Sequence, residues 1–307
     1  MNILKEFDEA LVREEIKTGK VNRGYRVDGK KDPYMMYLDN NSWEAFKKGM
    51  RQGHYDQYDT AGGSELKEKN GRPPKMASFA SSSRMIYKHT IKHAKFVDDF
   101  IFEKKLTTTV GGMANLDGYL SLPDKHIFVE AKCREPYSHK AEQTIKQNYS
   151  CVYEHLIEHM PGIFSCEMTD LPENHSEKPK RNMLVTFYCK GKEVAYFDIK
   201  QMICHMLAVA TELLKNPDGK DVLFLYFLYN PTGLPLSGDA GKEIQRIYNE
   251  TYRAATEYDM DTMFGHIVDY LYSTMKNLKV TQTEVAHLKS HFHFMLCDQN
   301  DYTDRLK

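Results

Sequence analysis

The chain has 307 residues, 41% of them hydrophobic and 28% charged, with a formal net charge of −1; this composition excludes a disordered, collagen-like or disulfide-scaffold protein and allows a core that needs no metal to hold it. Its six cysteines (Cys133, Cys151, Cys166, Cys189, Cys204 and Cys297) form no C-x-x-C pair, so neither a zinc ribbon nor a redox dithiol is indicated. With no signal peptide legible and no apolar run longer than residues 222–229, the expectation is a soluble, cytoplasmic protein with free thiols.

Residues 1–75 are polar and rich in turn formers, and read as an appendage packed on a core found elsewhere. Within them Asn40-Asn41-Ser42 offers a helix cap before Trp43. Ser81-Ser82-Ser83 can cap a helix that runs to about Lys105, with Met85, Ile86, Ala94, Val97, Phe100 and Ile101 as its apolar positions. The periodicity then changes. Thr107-Thr108-Thr109-Val110, residues 115–122 and residues 126–133 read as strands, the last two joined around Pro123-Asp124-Lys125.

A helix over residues 140–160 stops at Pro161-Gly162, and a polar loop follows to Lys180. Residues 183–188 and 194–198 suggest a hairpin, residues 199–215 a helix, and residues 222–229 a strand covered on both faces. After Asp239 the chain reads as helical almost to its end. The fold class expected is α/β: a mixed sheet flanked by helices over residues 76–235, with an N-terminal appendage (1–75) and a C-terminal helical segment (236–307).

The chemistry is carried by Ile127-Phe128-Val129-Glu130-Ala131-Lys132. Strand side chains alternate, so Glu130 and Lys132 share one face, and Val129 and Ala131 take the other. A turn of two or four residues sets Asp117 of the preceding strand opposite Glu130; a one-residue slip would turn it away. Two carboxylates so placed can hold a hard divalent cation, with the small Ala131 leaving its backbone carbonyl accessible as a further ligand. A nearby lysine can orient water or stabilise developing charge. Glu-x-Lys occurs four times in the chain, but only Glu130-Ala131-Lys132 follows an apolar strand-like run with an acidic residue on a partner strand. Asp198-Ile199-Lys200 is a decoy, read as a helix cap through Asp198 and Gln201.

Asn115-Leu116-Asp117-Gly118-Tyr119-Leu120 followed by Phe128-Val129-Glu130-Ala131-Lys132-Cys133-Arg134-Glu135-Pro136 resembles motifs II and III of the PD-(D/E)XK (restriction-endonuclease-like) nucleases. Phe102-Glu103-Lys104-Lys105-Leu106 and Ser81-Ser82-Ser83-Arg84 resemble segments ahead of that motif, so the likeness runs from about residue 60 to 235. Leu116 replaces the proline that names the family, a residue without chemical duty. The resemblance implies a restriction-endonuclease-like core and Mg²⁺- or Mn²⁺-dependent hydrolysis of phosphodiesters, in the manner of a restriction-type DNA endonuclease. It implies Asp117 and Glu130 as metal ligands and Lys132 as the group that positions water. It makes Glu103 a candidate acidic ligand and Gln201 a candidate polar group reaching in from a later helix. Cutting both strands of DNA would favour a homodimer.

Between Glu65 and Lys105 there are ten Lys/Arg against five Asp/Glu. Arg84, Lys88, Lys92 and Lys95 fall on the expected helix and make a candidate phosphate-binding stripe, with a solvated helix face as the alternative. A nuclease fold that grips nucleic acid without cutting is a second reading. A third is a zinc metallopeptidase through His155-Leu156-Ile157-Glu158-His159, which matches H-x-x-E-H but breaks at once at Pro161-Gly162. His287, His291, His293 and Cys297 form a further cluster, where packing histidines compete with a structural zinc. Gly238-Asp239-Ala240-Gly241-Lys242-Glu243 lacks the glycine spacing and hydroxyl of a phosphate loop.

Overall fold

A computed structural model describes residues 2–18, 25–27, 34–61, 65–92, 96–138, 141–171 and 183–307. The N-terminal part contains α1 (Ile3–Lys17), the short pair β1 (Tyr25–Val27) and β2 (Met36–Leu38), α2 (Asn40–Lys48) and α3 (Gln52–Thr60). Then come α4 (Ser82–Thr90), β3 (Ile101–Thr107), β4 (Met113–Ser121), β5 (Lys125–Lys132), β6 (Glu142–Ile145) and α5 (Ser150–His159). They are followed by β7 (Phe164–Asp170), β8 (Met183–Cys189), β9 (Lys192–Glu193), α6 (Ile199–Lys215) and β10 (Asp221–Leu228). The last elements are α7 (Gly238–Glu257), α8 (Met260–Thr274), α9 (Gln282–Ser290), β11 (Phe292–Cys297) and α10 (Tyr302–Arg305). No helix among the described residues is long and apolar enough to cross a membrane.

The central sheet has the order β11-β10-β5-β4-β3. β10 runs parallel to both β5 and β11, whereas β3, β4 and β5 are antiparallel neighbours. The protein is therefore α/β with a mixed sheet flanked by helices. Cover on both faces explains the nearly unbroken apolar sequence of β10 and the apolar run Ile127-Phe128-Val129 of β5. Phe128, Phe224 and Tyr226 pack with α5, α6 and α8 in one cluster. Ile127, Val129, Ala131, Leu225 and Phe227 pack with α1, α4 and α7 in the other. A second, antiparallel sheet has the order β6-β8-β7, with β9 on β8. Its hairpin turns at Lys190 and Gly191, both at positive φ (49° and 74°), the two-residue geometry that matches strand twist.

Several elements differ from the sequence reading. The helix expected to reach Lys105 stops at Thr90, and residues 101–107 form β3. Apolar positions 97, 100 and 101 mimic helical spacing, but Val97 and Phe100 are both fully buried ahead of the strand instead. The helix expected from residue 140 starts only at Ser150, after the strand β6. Part of the expected polar loop is β7, whose polar residues sit on an open sheet face. Of the expected strand at 194–198 only its approach is extended, with the Val194 N–H donating to the Phe187 carbonyl. The C-terminal segment contains β11, a strand where continuous helix was expected. The helix at Trp43 starts earlier than its expected cap: Asp39 caps it by accepting from the Ser42 N–H at 2.7 Å.

The described residues of the first 75 positions share the core with the sheet. Asp8 of α1 forms a buried ion pair with Arg134 at 3.0 Å, and Gln57 of α3 accepts from the Phe102 N–H at 2.8 Å.

Candidate active site

β5 presents Glu130 and Lys132 toward α6, while Val129 and Ala131 pack into the opposite cluster. Gly118 lies opposite Val129 and Tyr119 opposite Phe128, so Asp117 stands level with Glu130 at the next step. Its Oδ2 accepts the Ala131 N–H at 2.7 Å. On the outer side, Phe102 lies opposite Gly118 and Lys104 opposite Leu116, which leaves Glu103 level with Asp117. Three carboxylates thus stand in a row across β3, β4 and β5. Glu103 has φ 54°, a left-handed conformation inside a strand. Such strain costs on the order of 1–3 kcal/mol and gathers where function demands an unusual side-chain direction.

Glu130 and Lys132 are both buried. The Lys132 ammonium donates to Glu130 Oε1 at 2.5 Å and to Gln201 Oε1 at 2.6 Å. Gln201 sits in the first turn of α6, where its backbone N–H is capped by Asp198 at 2.9 Å. Asp198 is accordingly a cap, and the Gln201 side chain is free to reach Lys132 instead of closing a capping box. His205, one turn further along α6, brings Nδ1 within 3.1 Å of Glu130 Oε2, an ion-pair distance when the imidazole is protonated.

The electrostatics follow from this crowding. Burial raises the Glu130 carboxyl, but the Lys132 ammonium and His205 outweigh it and hold it at about 2. Burial works against the Lys132 charge too, yet Glu130 keeps its pKa well above the ordinary lysine value. Asp117 is pushed well above the usual carboxylate range by burial and by Glu130 and Glu103. Glu103 is raised to about 7 by burial and Glu65, against the pull of Lys75 and a 3.4 Å hydrogen bond from Ser83. Glu65 itself pairs with Lys75 at 2.7 Å.

The row of carboxylates opens on a cleft of 950 Å³. Two further hollows, of 610 and 450 Å³, adjoin it and share Gln201 as a lining residue. Arg72, Lys75 and Lys105 line one part of the cleft, and Lys146 and Lys200 line the adjoining hollows.

Comparison with known proteins finds no family model, no curated protein and no solved structure that matches the chain.

The structure therefore brings Asp117, Glu130, Lys132, Gln201 and Glu103 together, with Ala131 lining the same cleft. Glu103 arrives from a strand, not from the expected helix end. The basic stripe is not assembled as expected. Arg84 is buried against the Phe79 ring and pairs with Glu15 at 2.7 Å. Lys88 pairs with the same carboxylate at 2.6 Å. These two cations tie α4 to α1, because a face expected in solvent is turned into the core. Lys92 lies in the turn just past α4, and Lys95 lies outside the described residues.

His155 and His159 stack at 4.0 Å on α5 beside His266, with Glu158 exposed. Their ligand atoms belong to no group of three gathered within 4.8 Å; among the described residues the one such group is Asp221, His287 and His291. Sequence reasoning missed His205, Glu65, Lys75 and Ser83. For His205 a signal existed, since it follows Gln201 by four residues on α6 and so shares its face.

Proposed function

We propose that this protein is a metal-dependent nuclease with a PD-(D/E)XK core, acting on DNA phosphodiesters as a restriction-type endonuclease. The observation that carries this reading is the placement of Asp117 level with Glu130, one step from Lys132, on the floor of a cation-lined cleft. The resemblance over residues 115–136 supplies the reaction class.

The residues fit a hard divalent cation. Glu130 Oε2 is buried and faces the His205 imidazole at 3.1 Å, and Asp117 and Glu103 repel the Glu130 carboxylate and each other. Bound positive charge would relieve that repulsion. Asp117, Glu130 and the Ala131 carbonyl would hold Mg²⁺ or Mn²⁺, which supplies a polarised phosphoryl oxygen and an acidified water. Lys132 is held in place by Glu130 and Gln201, so two of its three N–H groups are committed and the third is left for a water or a phosphate oxygen. Its raised pKa keeps it an ammonium, suited to stabilising charge that develops in flight and unsuited to accepting a proton.

The test is cleavage of plasmid DNA and of DNA and RNA oligonucleotides with Mg²⁺ or Mn²⁺, after melting curves show each variant folded. Glu130→Gln and Asp117→Asn are expected to abolish metal-dependent cutting. Lys132→Met is expected to slow it by roughly 10²–10³-fold while metal binding persists. Silence of the wild type on every substrate, with nucleic acid still bound, would replace the enzyme by a binding module. Cutting that survives Glu130→Gln unchanged would remove the site from the chemistry.

A further inference from the structure

Asp221 opens β10 and lies across from Lys125, whereas Leu228 at the far end of the same strand lies across from Lys132. Asp221 therefore stands at the opposite end of the sheet from the carboxylate row. β10 and β11 pair in parallel from Val222 and Phe292 onward, and the Val222 N–H donates to the His291 carbonyl at 2.8 Å. That bond fixes Asp221 beside the junction between α9 and β11. His287, in the last turn of α9, and His291, its C-cap, stack at 3.9 Å. The ligand atoms of Asp221, His287 and His291 lie within 4.8 Å of one another.

Two details of the imidazoles suit a metal ligand. His287 Nε2 is buried and has no hydrogen-bond partner among the described residues. His291 Nδ1 is engaged locally, 3.0 Å from the His287 carbonyl and 2.9 Å from the Ser290 hydroxyl, which leaves Nε2 as the nitrogen turned to a ligand. A backbone carbonyl that engages one ring nitrogen in this way is the usual support of a metal-ligating imidazole. His155 and His159 show the same stacking, the same Nε2 unpartnered among the described residues and the same Nδ1–carbonyl contact; what sets His287 and His291 apart is the Asp221 carboxylate gathered with them. His293 and Cys297 do not take part: His293 is exposed beside Asp261, and Cys297 is buried on β11 with its thiol near the Tyr226 carbonyl.

We propose that Asp221, His287 and His291 form a second metal site, for a zinc-class transition ion. Two imidazoles and one carboxylate suit Zn²⁺ far better than Mg²⁺, which prefers oxygen ligands and retains its water. Three protein ligands leave the fourth position of a tetrahedral ion to water. The ion would clamp the start of β10 to the α9–β11 junction and so secure the edge strand of the sheet. This site owes nothing to the nuclease reading and stands or falls apart from it.

The experiment is calorimetric titration of zinc chloride into the full chain in buffer with excess magnesium, to occupy the carboxylate row, with melting curves in parallel. One zinc per chain is expected, with a melting midpoint that rises as zinc is added. Asp221→Asn, an exposed position whose change leaves the core intact, and His287→Ala are each expected to weaken binding about tenfold or more. His293→Ala, at an exposed imidazole outside the group, is expected to bind zinc as the wild type does. Absence of zinc binding by the wild type would overturn the proposal. So would binding that Asp221→Asn and His287→Ala leave unchanged, or binding that only Glu130→Gln abolishes, which would move the ion to the sheet's other end.

Discussion

Glu103 titrates at about 7, well above its ordinary 4.5, because burial and Glu65 disfavour its charge. A carboxyl raised on folding binds a proton in the native state over a range where the unfolded chain has lost it. Its contribution to stability is complete below pH 4.5 and is lost as pH rises through 7. At about 1.4 kcal/mol per unit, the ceiling is roughly 3 kcal/mol, which solvent in the cleft reduces. Glu103→Gln is therefore expected to stabilise the metal-free protein at pH 8 by about 1–2 kcal/mol and to leave it nearly unchanged at pH 4, as read from denaturant midpoints. Equal effects at both pH values would mean that Glu103 carries no such burden. The same residue shows how the sequence could mislead. Glu130 and Lys132 were legible because a period of two and an apolar run identify a buried strand, and Asp117 because a short turn fixes its partner. Glu103 was legible as a candidate but not in its place, since nothing local announces a left-handed residue inside a strand. His205 escaped because its approach to Glu130 depends on how α6 lies over β5.

At the scale of elements, the Phe100 ring, just ahead of β3, and Ile86 of α4 press so closely on β4 that a side chain at position 118 would collide with them. A Cβ there would overlap the Phe100 ring and stand 2.9 Å from Ile86 Cδ1. Gly118→Ala is expected to cost about 1–3 kcal/mol through overpacking. It should also impair any activity of the site, because it pushes on the residue next to Asp117. A melting curve coincident with that of the wild type would show that the ring moves aside freely. Elements governed by burial on both faces, such as β5 and β10, were legible from composition alone. Those that depend on distant partners were not. β11 has an alternating pattern in Phe292-His293-Phe294, but its strand exists because β10 offers a free parallel edge. β3 was hidden because Val97 and Phe100 imitate a helical stripe while both are fully buried ahead of the strand.

Across the whole molecule, positive charge is divided between two duties that the sequence does not separate. On α4, Arg84 and Lys88 converge on Glu15 and fasten the N-terminal helix. That carboxyl is raised by burial but lowered further by the two cations, so the pairing is structural and offers no surface for phosphate. Around the cleft, Lys105 lines the hollow of the carboxylate row and Lys146 the hollow beside it, resting on the Thr60 and Gly111 carbonyls, acceptors that leave the lysine charges unneutralised. If the cleft carries a polynucleotide, counterion release should be tied to these lysines. Removing one lysine–phosphate interaction lowers the slope of log affinity against log salt by about 0.9 for duplex DNA. Lys105→Ala with Lys146→Ala is expected to weaken binding of duplex DNA and to flatten that slope by roughly 2, in fluorescence anisotropy across a salt series. Lys88→Ala is expected to leave affinity and slope as they are while lowering stability by up to about 1 kcal/mol, since its pair with Glu15 is partly exposed. The reverse pattern, with DNA binding abolished in Lys88→Ala and kept in the double variant, would place the nucleic acid on α4 and away from the cleft.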